Sequence, residues 1–253
     1  MVEKLEKEKL QELLRLVYES AQGEDSINAA HLRNKLSLWN YLRIIEEIHL
    51  ALPPQARILD WGCGYCQMSF FLKKIGFNVL SYDVQDAMVK TNFFREIRRD
   101  VIIGKDSIKL PFPDGSFDAV LSCGVLEHAC DKEGSLAELR RILKNHGYFF
   151  IYMLPNFFSY AEFINTLMRK SDHEYKYTPG SIQKCLKENQ FIVSGIKRHN
   201  LIPKCFKLNN ALQKFFQRLY SNYESLLLLE SGMLKMPIIN IFSGTLEIVA
   251  RKQ

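Results

Sequence analysis

"LDWGCGYCQ", residues 59–67, sets two glycines, two cysteines and a tryptophan directly behind the start of the run Ala56-Arg57-Ile58-Leu59. Three readings are open for such a stretch: a nucleotide-binding turn, a metal knuckle, or a tight bend in a core. The surrounding pattern decides between them. Short apolar runs at 56–61, 77–83, 100–104, 117–124 and 147–154 alternate with helical patterns at about 65–75, 86–97 and 132–144. Such alternation predicts parallel strands joined by crossover helices. In an open sheet of that kind ligands bind at the carboxyl ends of the strands. The quoted stretch is where the first strand ends and the first crossover helix begins.

Two amphipathic helices precede this unit, at 3–20 and 29–50, and "LPPQ" at 52–55 separates them from it. After Pro155 come helical patterns at 157–170 and 180–189, a strand at 191–198, a long apolar and basic stretch at 201–243, and a last strand at 245–252. The expected architecture is a Rossmann-like α/β fold, an open and mostly parallel seven-stranded sheet. Residues 1–52 form an N-terminal helical extension. Residues 53–253 form the main domain, in which 201–243 is a helical insertion placed as a lid before the last strand.

Composition narrows the setting. With 47% hydrophobic and 12% aromatic residues, the 253-residue chain has ample material for a core. The amino terminus is charged throughout and no run of 18 apolar residues occurs, which implies a cytoplasmic protein. The six cysteines are therefore expected as thiols. Cys63 and Cys66 form a C-x-x-C, yet no second close pair or Cys/His knuckle completes a zinc site, so they are read as turn residues. The formal charge of +6 is unevenly spread. Between Phe191 and Tyr223 there is no acid, while Lys197, Arg198, Lys204, Lys207, Lys214 and Arg218 all fall there. A solvated helical face explains this; so would a surface meeting phosphate, RNA or an anionic membrane.

Gly62 and Gly64 allow a sharp turn and close approach of backbone to a ligand. The following helix would aim its first amides at that ligand. Asp83, with Val84 after it, ends the second strand, where a carboxylate can accept two ribose hydroxyl hydrogens. A dinucleotide fingerprint would need glycine at 67, where Gln67 stands.

Here the sequence resembles the class I S-adenosylmethionine-dependent methyltransferases, in particular the group of ubiquinone-biosynthesis-like enzymes. The resemblance runs from about Ala56 to Asn156. The family's first motif, an acid followed by G-x-G-x-G, reads Asp60, Trp61, Gly62, Cys63, Gly64, Tyr65, Cys66, with Cys66 replacing the third glycine. Asp83 matches the ribose-binding acid, and "DSIKLPFPDGSFDAVLSCGVLEH" (106–128) matches the segment D-A-E-x-L-P-F-x-D-x-S-F-D and the strand after it. The resemblance implies S-adenosylmethionine as cofactor. It places Asp106 at the adenine amino group, the Ser107 backbone at a ring nitrogen, and Cys123 and Gly124 beside the methionine portion.

Methyl transfer from a sulfonium needs alignment and exclusion of water, and needs a base only when the acceptor must lose a proton. His128, after Glu127, is one candidate. His173, in the cluster "SDHEYKYTPG" (171–180) where the class places acceptor-recognition residues, is the other. Some RNA-end enzymes of the class bind a metal through E-x-x-E-H; the first position here is Gly124, and no metal is expected. The expected acceptor is a small or lipid-linked molecule methylated at oxygen, with 201–243 as a segment for peripheral membrane contact. An RNA acceptor, or a non-catalytic cofactor-binding scaffold, is the alternative.

Overall fold

The structure, a computed structural model, describes residues 4–21, 31–85, 100–167, 175–202 and 222–253. Seven strands make one sheet: β1 (Arg57–Trp61), β2 (Asn78–Asp83), β3 (Val101–Ile103), β4 (Phe117–Cys123), β5 (Leu143–Pro155), β6 (Phe191–His199) and β7 (Thr245–Lys252). Their order is β3-β2-β1-β4-β5-β7-β6. β1 through β5 pair in parallel, and β7 runs antiparallel between β5 and β6. The order reverses between β1 and β4, which opens the crevice of a doubly wound sheet. All seven expected strands are present in the expected arrangement.

Among the described residues the helices are α1 (Lys7–Ala21), α2 (Lys35–Ala51), α3 (Gln67–Lys74), α4 (Lys132–Ile142), α5 (Tyr160–Leu167), α6 (Pro179–Glu188), α7 (Tyr223–Leu234) and α8 (Pro237–Ile241). The period-2 alternation of each strand divides the core in two. Ile58, Val79, Leu121, Phe150 and Tyr152 join residues of α1, α2 and α3 on one face. Leu59, Val120, Phe149, Ile151 and Ile248 join residues of α4 and α6 on the other. The N-terminal helices thus share a core with the sheet, through Leu13, Ile44 and Ile48 among others.

Several boundaries differ from the expected ones for local reasons. α2 starts at Lys35 because Asn34 caps it, its side-chain oxygen accepting from the Leu36 amide at 2.9 Å. α3 starts at Gln67 because Cys66, at φ 61°, lies in the left-handed region. β5 begins at Leu143, where a helix tail was expected, since Leu143 pairs with Phe117 of β4. The helix expected at 86–97 and the first half of the lid, 203–221, lie outside the described residues.

Candidate active site

Four strand ends meet at the crevice. After Trp61 the chain turns through Gly62, whose amide donates to the Tyr82 carbonyl oxygen at 2.8 Å; the Cys63 amide shares that acceptor at 3.1 Å. The first turn of the loop is therefore fastened to the end of β2. Gly62 has φ +70°, and a Cβ on it would stand 2.5 Å from both Val125 methyl groups. Glycine is required there by backbone conformation and by packing against the turn after β4. Gly64, at φ +51°, has open space where a Cβ would be, and it lies behind the residues that line the crevice instead of among them.

Asp83 holds the loop from the other side. Its Oδ2 accepts from the Gly64 amide at 2.8 Å and its Oδ1 from the Gln85 amide at 2.9 Å. A carboxylate has about four lone-pair directions, so two remain for ligand hydroxyls. Asp60, by contrast, does not line the crevice. It is buried beneath the loop, where its Oδ2 accepts from the Ser69 amide at 3.1 Å and the Ser69 hydroxyl at 2.6 Å. Burial raises its pKa to about 6, against the lowering effect of the Ser69 hydrogen bonds. Asp60 thus anchors the first turn of α3 to the end of β1, and the Ser69 amide points at Asp60 instead of at a ligand.

The crevice holds about 360 Å³ and is lined by Trp61, Gly62, Tyr82, Asp83, Val84, Gln85, Ser107, Gly124, Val125, His128, Ala129 and Cys130. That volume falls within the roughly 300–1,000 Å³ usual for small-molecule sites. Of the sequence-predicted residues, Gly62, Asp83, Val84, Ser107 and His128 line it together. Asp106 stands at its rim: Oδ1 accepts from the Ile108 amide at 2.8 Å and the Lys109 amide at 3.1 Å, which holds its pKa below the usual carboxylate value. The Asp106 carbonyl oxygen accepts from the Tyr82 hydroxyl at 2.5 Å, tying the rim to β2. Cys123 lies beneath the lining, half-buried, with burial pushing its thiol pKa well up. Gly124 after it faces the crevice.

His128 ends a single 3-10 turn, Leu126–His128, and is exposed on the crevice wall. His173 lies outside the described residues. Cys63 and Cys66 are buried with their sulfurs 3.3 Å apart, the Cys66 amide donating to the Cys63 carbonyl oxygen at 2.7 Å. Trp61, Tyr82, Val125 and Cys130 were not singled out from sequence. A hydrophobic residue beside a glycine turn carries no mark of facing a ligand.

These residues fit an adenosine cofactor. Asp83 keeps acceptor capacity at the end of β2, and Ser107 and Val84 flank it. Comparison with known proteins agrees. Residues 59–151 match the methyltransferase domain family. The chain is 28% identical over 170 residues to a sterol 24-C-methyltransferase of Pneumocystis carinii, covering 65% of this chain and 39% of that protein. It is 30% identical over 135 residues to a ubiquinone biosynthesis O-methyltransferase of Xanthomonas campestris, covering 49% and 56%. Each alignment spans well under two thirds of the relative's own length. Among solved structures, an S-adenosylmethionine-dependent methyltransferase from Archaeoglobus fulgidus shares the fold, at TM-score 0.55 and 21% identity, with 84% of this chain and 94% of that one covered. Residues 59–151, which carry the glycine loop, the Asp83 strand end and the crevice wall through His128, are thus the part of the chain that matches the methyltransferase domain family.

Proposed function

We propose that the chain transfers the methyl group of S-adenosylmethionine to a hydroxyl of a small or lipid-linked acceptor. The observation that carries the cofactor half is the Asp83 carboxylate. It is fixed by the Gly64 and Gln85 amides at the end of β2, with lone pairs left over at the mouth of a crevice of suitable size. The acceptor half is supported by the relatives: the ubiquinone-biosynthesis enzyme is by name an O-methyltransferase, while the sterol enzyme, a C-methyltransferase, supports a lipid acceptor and not the oxygen.

When bound, the cofactor supplies a methyl group already activated on a sulfonium sulfur. The chain's own residues then have to bind, orient and exclude water. Asp83 receives the ribose hydroxyls, Ser107 and Asp106 border the adenine end, and Gly124 with the underlying Cys123 forms the wall beside the methionine portion. Asp60 holds the loop in register from below. His128, exposed on the crevice wall, takes the proton that an acceptor hydroxyl gives up as its oxygen gains the methyl group. An acceptor that loses no proton would make His128 dispensable.

Titration calorimetry with S-adenosylhomocysteine, followed by transfer of labelled methyl across a panel of phenols, quinols and sterols, tests both halves. Saturable binding with methylation of a hydroxyl acceptor is the expected result. Binding without transfer to any member would remove the acceptor half, and absence of binding would remove the whole reading.

A further inference from the structure

Between β3 and β4 the chain runs through residues 104–116 without helix or strand. Ser107 of the crevice lining, with Asp106 before it, belongs to this stretch. Backbone groups outside regular structure need partners from elsewhere. At the near end these are Asp106 itself, whose Oδ1 accepts from the Ile108 and Lys109 amides, and Tyr82, whose hydroxyl donates to the Asp106 carbonyl oxygen. At the far end they come from a single turn of α4. Glu138 Oε2 accepts from the Leu110 amide at 3.0 Å. Arg141 donates from Nη2 to the Leu110 carbonyl oxygen at 3.1 Å and from Nη1 to the Phe112 carbonyl oxygen at 2.8 Å.

The rest of the guanidinium is committed as well. Nε and Nη2 donate to Glu138 Oε1 and Oε2, both at 2.8 Å, and Nη1 donates to Asp114 at 2.7 Å. All five N–H donors of the arginine are thereby used, which the three donors of a lysine cannot reproduce. The Arg141 carbonyl oxygen also accepts from the Gly115 amide at 3.0 Å. Its guanidinium holds the Glu138 carboxyl below the usual pKa, so the pair stays ionised.

What α4 holds carries over to the crevice. Leu110 and Phe112 are buried, and the Phe112 ring lies edge-on to Tyr82, with ring centres 6.1 Å apart. Tyr82 lines the crevice and is the residue that fixes Asp106. The segment from Asp106 to Phe112 is therefore fastened at both ends, and the placing of its near end depends on where α4 holds the far one. Because Oδ1 of Asp106 is taken by two amides, Oδ2 is the oxygen left to accept from a ligand. A carboxylate followed by a backbone amide suits a base that carries an amino group beside an accepting ring nitrogen. Hypoxanthine has a carbonyl and an N–H at those two positions, which sets acceptor against acceptor and donor against donor.

We propose that Arg141, together with Glu138, is a positioning residue for adenine, setting the spacing of Asp106 and the Ser107 amide on which selection of the adenine amino edge depends. This role rests on the proposed place of Asp106 and Ser107 at the adenine end; Arg141 itself does not line the crevice.

Calorimetry of the full chain with S-adenosylhomocysteine and its deaminated analogue S-inosylhomocysteine tests it. The parent should favour the adenosyl ligand by roughly 10²-fold, from two mismatched hydrogen bonds. Arg141→Ala should bind S-adenosylhomocysteine roughly tenfold more weakly with S-inosylhomocysteine little changed, so that the preference narrows to about tenfold. Arg141→Lys keeps the charge beside Glu138, guards against loss of the fold, and should narrow the preference part of the way. A merely structural role would lower the thermal midpoint and leave the ratio of the two affinities alone. A ratio kept at the parent value in both variants would overturn the role of Arg141 while leaving Asp106 and Ser107 at the adenine. A parent that binds both ligands equally would remove the adenine border, and the role of Arg141 with it.

Discussion

The Gly64 amide donates to Asp83 Oδ2 at 2.8 Å, so the acid proposed to meet the ribose also secures the glycine loop. One side chain therefore couples the shape of the loop to the chemistry of the site. Asp83→Ala should weaken S-adenosylmethionine binding by on the order of 1.5–3 kcal/mol through lost charge-assisted hydrogen bonds. Asp83→Asn should recover part of that, because its amide oxygen can still accept from Gly64. Calorimetry giving the parent's affinity for the alanine variant would remove Asp83 from the site.

The two glycines of the loop should respond unequally to alanine. At Gly64 the cost is the left-handed backbone alone, about 1 kcal/mol, since a Cβ meets open space. At Gly62 the same backbone cost is joined by a Cβ 2.5 Å from the Val125 methyls, adding about 1–3 kcal/mol of overpacking. Urea unfolding of Gly62→Ala, Val125→Ala and the double variant should show coupling, with Val125→Ala relieving part of the Gly62→Ala cost. Additive effects would show that the two positions do not clash.

Asp60 gives a pH signature. Its folded-state pKa is raised to about 6 from an ordinary 3.8, chiefly by burial. The folded protein therefore holds a proton there more tightly than the unfolded chain does. Relative to Asp60→Asn, the parent should gain stability as pH falls through about 6 toward 4, and lose that gain as pH rises again above 6. The full difference is up to about 3 kcal/mol. Denaturant midpoints of both proteins at pH 7 and pH 5 measure it. A difference that does not change with pH would mean the Asp60 carboxylate is equally at ease in both states.

Away from the crevice, α2 is tied to the sheet by charge. Arg43 bonds to the buried Glu247 of β7, to Glu47 at 3.1 Å and to Asn40 at 3.1 Å. Lys197 meets Glu47 at 3.2 Å, and the Tyr152 hydroxyl donates to Glu47 at 3.3 Å. Arg43→Leu leaves the Glu247 charge buried without its guanidinium and should cost about 3–5 kcal/mol. Adding Glu247→Leu should return much of that loss. Thermal unfolding of the two single variants and the double checks it; a double variant as unstable as the sum of the singles would deny the pair.

His128→Gln separates chemistry from binding. Cofactor affinity should be unchanged while the rate with a hydroxyl acceptor falls by about 10²–10⁴-fold and the rise of rate with pH disappears. An unchanged rate and pH profile would limit His128 to lining the wall.

The short apolar runs and the helices between them were enough to foresee seven strands and their mostly parallel pairing, because burial on both faces writes itself into composition. Gly62, Gly64 and Asp83 were legible for a similar reason: a sharp turn and a strand-end acid are local demands. Other features were settled by contacts far apart in the chain. That Gly62 is needed to clear Val125, that Asp60 serves Ser69 from below while Tyr82 ties down the rim at Asp106, and that Glu247 lies against Arg43 all depend on which strand ends stand side by side. In sequence Glu247 stands between Leu246 and Ile248, and that alternation does not say whether its face of the strand meets solvent. Only the packing of α2 over that face of the sheet buries it, since a strand's outward face is decided by what covers it and not by its own residues.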